Sequence, residues 1–458
     1  MEGVSPRLYV LLAILAFGAA PAWALNGRIH VHDPSTVIQC DGKYYVYGTG
    51  RGIMVLTSSN GFDWQRGPKI FDLIPISVKS YVPANDGRGV WAPDVIKLNG
   101  QYCLYYAVSK WDSFVSAVGL VTSPTLDPAN PAYKWTDRGM IVHSVAGEDL
   151  NAIDPGVMQA PDGRVWLCYG SYHGTIQLVE LDPKTGLRIA PNSPAAIIGA
   201  KSEASEMIHH GGYYYLFTNH GTCCQGYRST YHIVVGRSAT VTGPYLDRQG
   251  HDMVNGGGTL FVRTADGNIG PGHFGYLVDD GVEKFSCHYE AVVGGSNGSV
   301  LDIRPLLWTA EGWPMAGTNI GDGIYTVRSD SVGAFLEVSP TAAGIGSANQ
   351  KFYITPAGGG FYKIMTPQSE MALTAVNGSI QPAPFTGSEG QLWKIDELTD
   401  GTYRIQSKAN HEVLTATAPL SPGNGMILQA FTGATAQRWA ITNGSWLTEK
   451  FRWLPYLP

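Results

Sequence analysis

The chain has 458 residues, more than one ordinary hydrophobic core accommodates, which points to two domains. Charged residues make up only 15%, while Gly (57), Tyr (24) and Trp (12) are abundant, a balance that favours a turn-rich all-β protein and argues against helical bundles and coiled coils. The net charge of −6, with no Lys/Arg-rich stretch, argues against nucleic acid as a partner; many Trp and Tyr with few charges suit a neutral polar ligand such as a sugar.

Residues 1–24 read as a secretory signal. Arg7 precedes an apolar run from Leu8 to Phe17, too short to span a bilayer, and Ala22-Trp23-Ala24 has the small-x-small pattern of a cleavage site. The mature chain is expected to begin near Leu25, outside the cell or in the periplasm. No later apolar stretch approaches ~18 residues, so no membrane association is expected. Six widely and irregularly spaced cysteines resemble neither a disulfide framework nor a zinc site. Cys103, Cys168 and Cys287 fall within aromatic strands and are expected to be buried thiols. The adjacent Cys223 and Cys224 could form a vicinal disulfide, although packing is the expected role.

Next comes a repeated hairpin. Asp41-Gly42, Asn99-Gly100, Asp162-Gly163 and Gly211-Gly212 each lead into an aromatic strand, and Asp280-Gly281 opens a looser fifth copy. These dipeptides suit two-residue turns whose central residues need positive φ. Five such hairpins, at intervals of 58, 63, 49 and 69 residues, predict a five-bladed β-propeller over residues 25–315. Nine residues before the first four turn glycines stand Asp33, Trp91, Asp154 and Glu203; His273 lies eight before the fifth. A constant offset predicts one shared strand position on the innermost strands, so three carboxylates and a histidine would converge on the axis. Buried carboxylates are costly unless paired, and folding does not require such a ring. Two facing carboxylates are the minimum for glycoside hydrolysis, and a third supplies the charge that tunes the acid; the pattern alone does not say which is which.

After a Gly-rich link at 316–322, residues 323–458 hold a second repeat. Three units open on Gly323-Ile324-Tyr325, Gly360-Phe361-Tyr362 and Gly401-Thr402-Tyr403, and close on Gln350-Lys351-Phe352, Gln391-Leu392-Trp393 and Gln437-Arg438-Trp439. Three units of this kind predict a β-trefoil. The tail from Trp446 to Pro458 has no account.

The stretches His32-Asp33-Pro34-Ser35, Trp91-Ala92-Pro93-Asp94, Asn151-Ala152-Ile153-Asp154-Pro155, Ser229-Thr230-Tyr231, Val241-Thr242-Gly243-Pro244-Tyr245, Gly272-His273 and Ile303-Arg304-Pro305-Leu306 stand in order over residues 30–314. Together they resemble glycoside hydrolase family 43, above all its secreted endo-α-1,5-L-arabinanases. The resemblance implies Asp33 as general base, Asp154 as pKa modulator and Glu203 as general acid of an inverting hydrolase acting on arabinan. It also implies His273 beside a hydrated cation, usually calcium. Trp91 and Trp111 would be sugar platforms. One departure stands out: the acid's stretch reads Glu203-Ala204-Ser205-Glu206, making Glu206 a rival acid, although the offset and the two-residue period of a strand favour Glu203. The 323–458 segment resembles ricin-type carbohydrate-binding modules. The acidic position after the leucine of each unit reads Leu336-Glu337, Leu373-Thr374 and Leu414-Thr415, so at most the first lobe keeps a carboxylate. The alternatives are an exo-acting arabinofuranosidase or β-xylosidase of the same fold, and a non-catalytic sugar-binding protein.

Overall fold

The computed structural model describes residues 25–191, 194–367, 370–417 and 425–443. The expected signal segment and the C-terminal tail lie outside the described residues. Strands dominate, and the single α-helix among the described residues, Ile76–Lys79, is one turn long. No helix among the described residues is long and apolar enough to cross a membrane.

Five sheets form the blades of a propeller, with first strands Ile38–Cys40, Gly89–Leu98, Gly156–Gln159, Glu203–His210 and Asn268–Asp279. Those of blades two to five contact one another in sequence. Blade five reaches blade one where Gly275 faces Thr36: a β-carbon on this glycine would lie 3.0 Å from the Thr36 Cα, so the ring is drawn tight there. The N-terminal segment closes the circle, Leu301 N–H donating to Ile29 O and Val31 N–H to Ser299 O.

The aromatic strands after each turn supply the packing. Side chains alternate across a strand, so each blade presents two apolar faces, and large residues fill the wedge towards the next blade. Tyr45 and Tyr47 pack between blades one and two, Tyr105 between two and three, and Tyr215, Phe217 and Phe285 between four and five. The turn chemistry holds in four of five hairpins, where both central residues have positive φ, as in Asp41 (50°) and Gly42 (74°). The third differs: Asp162 is not left-handed, only Gly163 is (85°), and the turn spans three residues between Ala160 and Arg164. It is a type I turn followed by a glycine bulge.

The C-terminal segment forms a closed six-stranded barrel of Gly323–Ser329, Lys351–Gly358, Phe361–Met365, Trp393–Glu397, Tyr403–Ser407 and Trp439–Asn443. Three hairpins cap it, giving a β-trefoil. Phe352, Trp393 and Trp439 are fully buried in its core, and the Trp393 and Trp439 indoles donate to Leu373 O and Leu414 O. The glutamines two residues earlier tie the capping hairpins down; Gln391 and Gln437 donate to the Thr374 and Thr415 hydroxyls. Lobes two and three thus commit to internal bonding the position where a sugar-binding acid would stand. In lobe one Glu337 accepts the Ala348 N–H at 2.6 Å.

The trefoil clasps the fifth propeller hairpin through buried charges. Lys284 Nζ bonds Asp279 at 2.7 Å and reaches Asp396 at 3.5 Å; Lys394 bonds Asp279 at 3.2 Å; Arg404 bridges Asp396 at 2.7 Å and Asp280 at 2.9 Å.

Candidate active site

At one end of the ring a cavity of about 270 Å³ is lined by Asp33, Asp154 and Glu203 together with Trp91 and Trp111. His273 lies buried behind it, its Nδ1 3.5 Å from Asp33 Oδ1. Each blade carries one left-handed residue in or just before its first strand: Asp33 (48°) and Asp154 (52°) before it, Ala92 (34°), Ala204 (51°) and His273 (60°) within it. Such φ values are uncommon outside glycine and concentrate at functional sites.

This backbone feature corrects the constant-offset expectation. Strand pairing matches Trp91 with Ala107, Glu203 with Asn219 and Gly272 with His288, each followed by a one-residue bulge. Trp91 and Glu203 are therefore equivalent to Gly272, and His273 is equivalent to Ala92 and Ala204. The side chains still gather because the bulge re-aims them. Glycine at 272 also has a steric reason, since a β-carbon there would fall 2.2 Å from the Tyr231 ring. Tyr231 occupies that space beside Glu203, and its hydroxyl acts to lower that carboxyl's pKa against the larger effect of burial.

The three carboxyls have different surroundings. Burial opposes ionisation of Asp33, but His32, His273 and His288 outweigh it and hold Asp33 well below the usual carboxylate range. Thr49 Oγ1 donates to Asp33 Oδ2 at 2.6 Å and accepts the Ala92 N–H, while the Asp33 N–H donates to His288 Nδ1. Burial pushes Asp154 up to about 6; His273 lowers it and Asp33 raises it. Asp154 Oδ2 accepts the Ala204 N–H at 3.1 Å, tying it to the residue beside Glu203. Glu203 is pushed up to about 8, first by burial and then by the charge of Asp154. At neutral pH the site thus holds Asp33 and Asp154 ionised and Glu203 protonated, the division of labour that acid–base cleavage of a glycosidic bond needs.

Glu206, the rival, does not line the cavity. It is buried below the floor, where its carboxyl hydrogen-bonds Asp94; burial and Asp94 push it well above the carboxylate range. Asp94 in turn accepts the Thr36 N–H at 2.9 Å and the Val157 N–H at 3.0 Å. Thr36, Val157 and Glu206 each lie three residues beyond Asp33, Asp154 and Glu203, so the Asp94–Glu206 pair holds together the three strands that carry the cavity's carboxyls. The sequence reading assigns no role to Thr49, His32 or Tyr231, and it takes Glu206 for a rival acid where the structure makes it a partner of Asp94. His32, Asp94 and Tyr231 sit in the motifs quoted above, whereas Thr49 follows an ordinary aromatic strand and carries no signal.

Trp111 is 68% exposed at the cavity mouth, edge-on to Trp91 with ring centres 6.5 Å apart. Cys103, Cys168 and Cys287 are buried free thiols, as expected. Cys223 and Cys224 depart from expectation: they are free, partly or fully exposed, and edge the cavity. Cys224 is left-handed (62°), which turns the pair out of the core.

Comparison with known proteins agrees with this architecture. The family described as "Glycosyl hydrolases family 43" matches residues 27–314, and "Ricin-type beta-trefoil lectin domain-like" matches residues 348–431. The chain is 37% identical to the extracellular exo-alpha-(1->5)-L-arabinofuranosidase ArbA of Cellvibrio japonicus, over 67% of this chain and 90% of the relative. It is 38% identical to the extracellular endo-alpha-(1->5)-L-arabinanase 1 of Bacillus subtilis, over 65% of this chain and 91% of the relative. A Cellvibrio cellulosa alpha-L-arabinanase solved in complex with arabinohexaose superposes with a TM-score of 0.60 at 34% identity, covering 63% of this chain and 96% of that one. The protein is a glycoside hydrolase and belongs to glycosyl hydrolases family 43, with a ricin-type β-trefoil following its five-bladed propeller.

Proposed function

We propose that the protein is a secreted, inverting hydrolase that cuts α-1,5-linked L-arabinan within the chain, with Asp33 as general base, Glu203 as general acid and Asp154 as modulator and substrate anchor. The carrying observation is that Asp33, Asp154 and Glu203 line one cavity in unequal surroundings, Asp33 beside three histidines and Glu203 buried beside Asp154. Glu203 protonates the leaving glycosidic oxygen, while Asp33, held ionised by the histidines, takes a proton from the water attacking C1 on the opposite face. Asp154 keeps Glu203 protonated by its charge and fixes the adjacent backbone. Trp91 and Trp111 offer apolar faces to the furanose rings.

The relatives named above include both exo and endo enzymes, and the same machinery serves either mode. Early products from linear arabinan discriminate between them. A ladder of oligosaccharides is expected, whereas arabinose alone from the first turnover refutes the endo reading. Both relatives are named extracellular, which supports export through residues 1–24. A mature N-terminus near Leu25 tests it.

Three carboxylates with the buried His273 behind them suit a hydrated cation better than one ligated directly by that histidine. No cluster of three or more potential ligands among the described residues includes His273, and calcium takes most of its shell from oxygen. We therefore assign His273 as the one protein group beside a water-clad calcium, whose positive charge would offset the carboxylates. Chelation is then expected to lower the melting temperature; an unchanged melt refutes the ion.

A further inference from the structure

Beside the carboxylates, on the Asp33 side of the cavity, His32 faces not only Asp33 but also Cys224 and Glu290, two side chains that the hydrolytic mechanism does not use. His32 Nε2 and Cys224 Sγ are 3.6 Å apart, and with the Glu290 carboxylate their ligand atoms all fall within 4.8 Å of one another. Tetrahedral zinc, with Zn–S of about 2.3 Å and Zn–N of about 2.0–2.1 Å, places sulfur and nitrogen about 3.5 Å apart. The observed spacing already matches.

The surroundings are those of a built site. His32 Nδ1 lies 2.9 Å from Ser299 Oγ, which fixes the ring and leaves Nε2 directed at the thiol. Glu290 is buried; its Oε1 accepts the Cys224 N–H at 2.9 Å, and His288 Nε2 stands 3.5 Å away on its other side. The Asp33 N–H donates to His288 Nδ1, so Nε2 of that ring carries its proton towards Glu290. The left-handed backbone of Cys224 presents its sulfur at the exposed end of the group. Nitrogen, thiolate and carboxylate together select a borderline-soft divalent ion and not calcium. Asp33 Oδ1 lies 3.5 Å from His32 Nε2, in a second cluster with His288 that shares His32 with the first, so it would have to shift to join an ion held by the other three.

We propose that His32, Cys224 and Glu290 form a zinc-class site whose occupation draws in Asp33 and shuts the enzyme off. Zinc replaces the proton shared between His32 Nε2 and Cys224 Sγ, and that proton leaves to solvent; no electron transfer is involved. The inhibition, unlike the binding, rests on Asp33 as the general base.

The test uses the full chain, stripped with EDTA, dialysed and kept in excess calcium so that any hydrated axial ion is in place. Zinc affinity is measured by competition with a chromophoric chelator, and cobalt(II) is titrated in parallel. One equivalent of zinc is expected. Cobalt should give a thiolate charge-transfer band in the near ultraviolet that is absent in Cys224→Ser, and both Cys224→Ser and Glu290→Gln should weaken zinc by about tenfold or more. Arabinan hydrolysis should fall in step with zinc occupancy, with the inhibition constant shifted by the same factor in the variants. Absence of the band, or its persistence in Cys224→Ser, overturns the site. Full zinc occupancy with unchanged turnover overturns the inhibition.

Discussion

Replacing Glu203 with glutamine should remove the acid and also relieve a cost that the fold carries. The carboxyl moves from an ordinary 4.5 to about 8 through burial and the charge of Asp154. At 1.36 kcal/mol per tenfold change, that displacement corresponds to about 5 kcal/mol. Because the folded acid keeps its proton where the unfolded one has lost it, the unfolded state binds fewer protons between about pH 4.5 and 8, and stability falls as pH rises through that window. A glutamine there has no proton to lose. Thermal melts at about pH 5 and about pH 9 should therefore show the variant gaining on the wild type by about 4 kcal/mol, roughly 10 °C for a domain of this size. Over the same range, kcat/KM of the wild type on arabinan should hold on the acid side of about pH 8 and fall above it, since Glu203 must be protonated while Asp33 stays ionised. The variant should lose about 10²- to 10⁴-fold and show no alkaline limb of that origin. A variant that keeps near-normal activity, or a melting difference that is the same at both pH values, refutes the assignment of Glu203 as a buried protonated acid.

Glu206→Gln keeps a donor for Asp94 and should retain kcat within about tenfold, measured on arabinan; a loss matching that of Glu203→Gln would move the acid to Glu206. Asp94→Ala orphans the Thr36 and Val157 N–H groups, which should cost about 2–6 kcal/mol in denaturant unfolding; a change below about 1 kcal/mol contradicts its tying role. Lys284→Met leaves Asp279 and Asp396 short of a buried cation and should destabilise the chain by about 3–5 kcal/mol, with the trefoil and fifth blade exchanging amide hydrogens first. Trp111→Ala should raise KM for arabinan about 3- to 10-fold with kcat little changed; an unchanged KM removes it from the sugar platform.

The sequence by itself determined the blade count, the trefoil and the neighbourhood of the site. Those features rest on local chemistry: paired turn residues, two-residue periodicity and three Gln-x-aromatic closings, each legible without knowing what packs against what. Counting back from the turn glycines reached Asp33, Asp154 and Glu203 for the same reason. The count did not deliver a single ring position, because one-residue bulges in blades two, four and five and a longer third turn shift the register in ways that only pairing reveals. Tertiary structure alone decided which of two glutamates three residues apart faces the cavity, since that depends on a bulge between them. It alone joined Thr49 to Asp33 and Tyr231 to Glu203, and put Cys224 beside His32 across 192 residues. The protonation states that make the carboxyls unequal follow from those long-range neighbours and from burial, which sequence spacing does not encode.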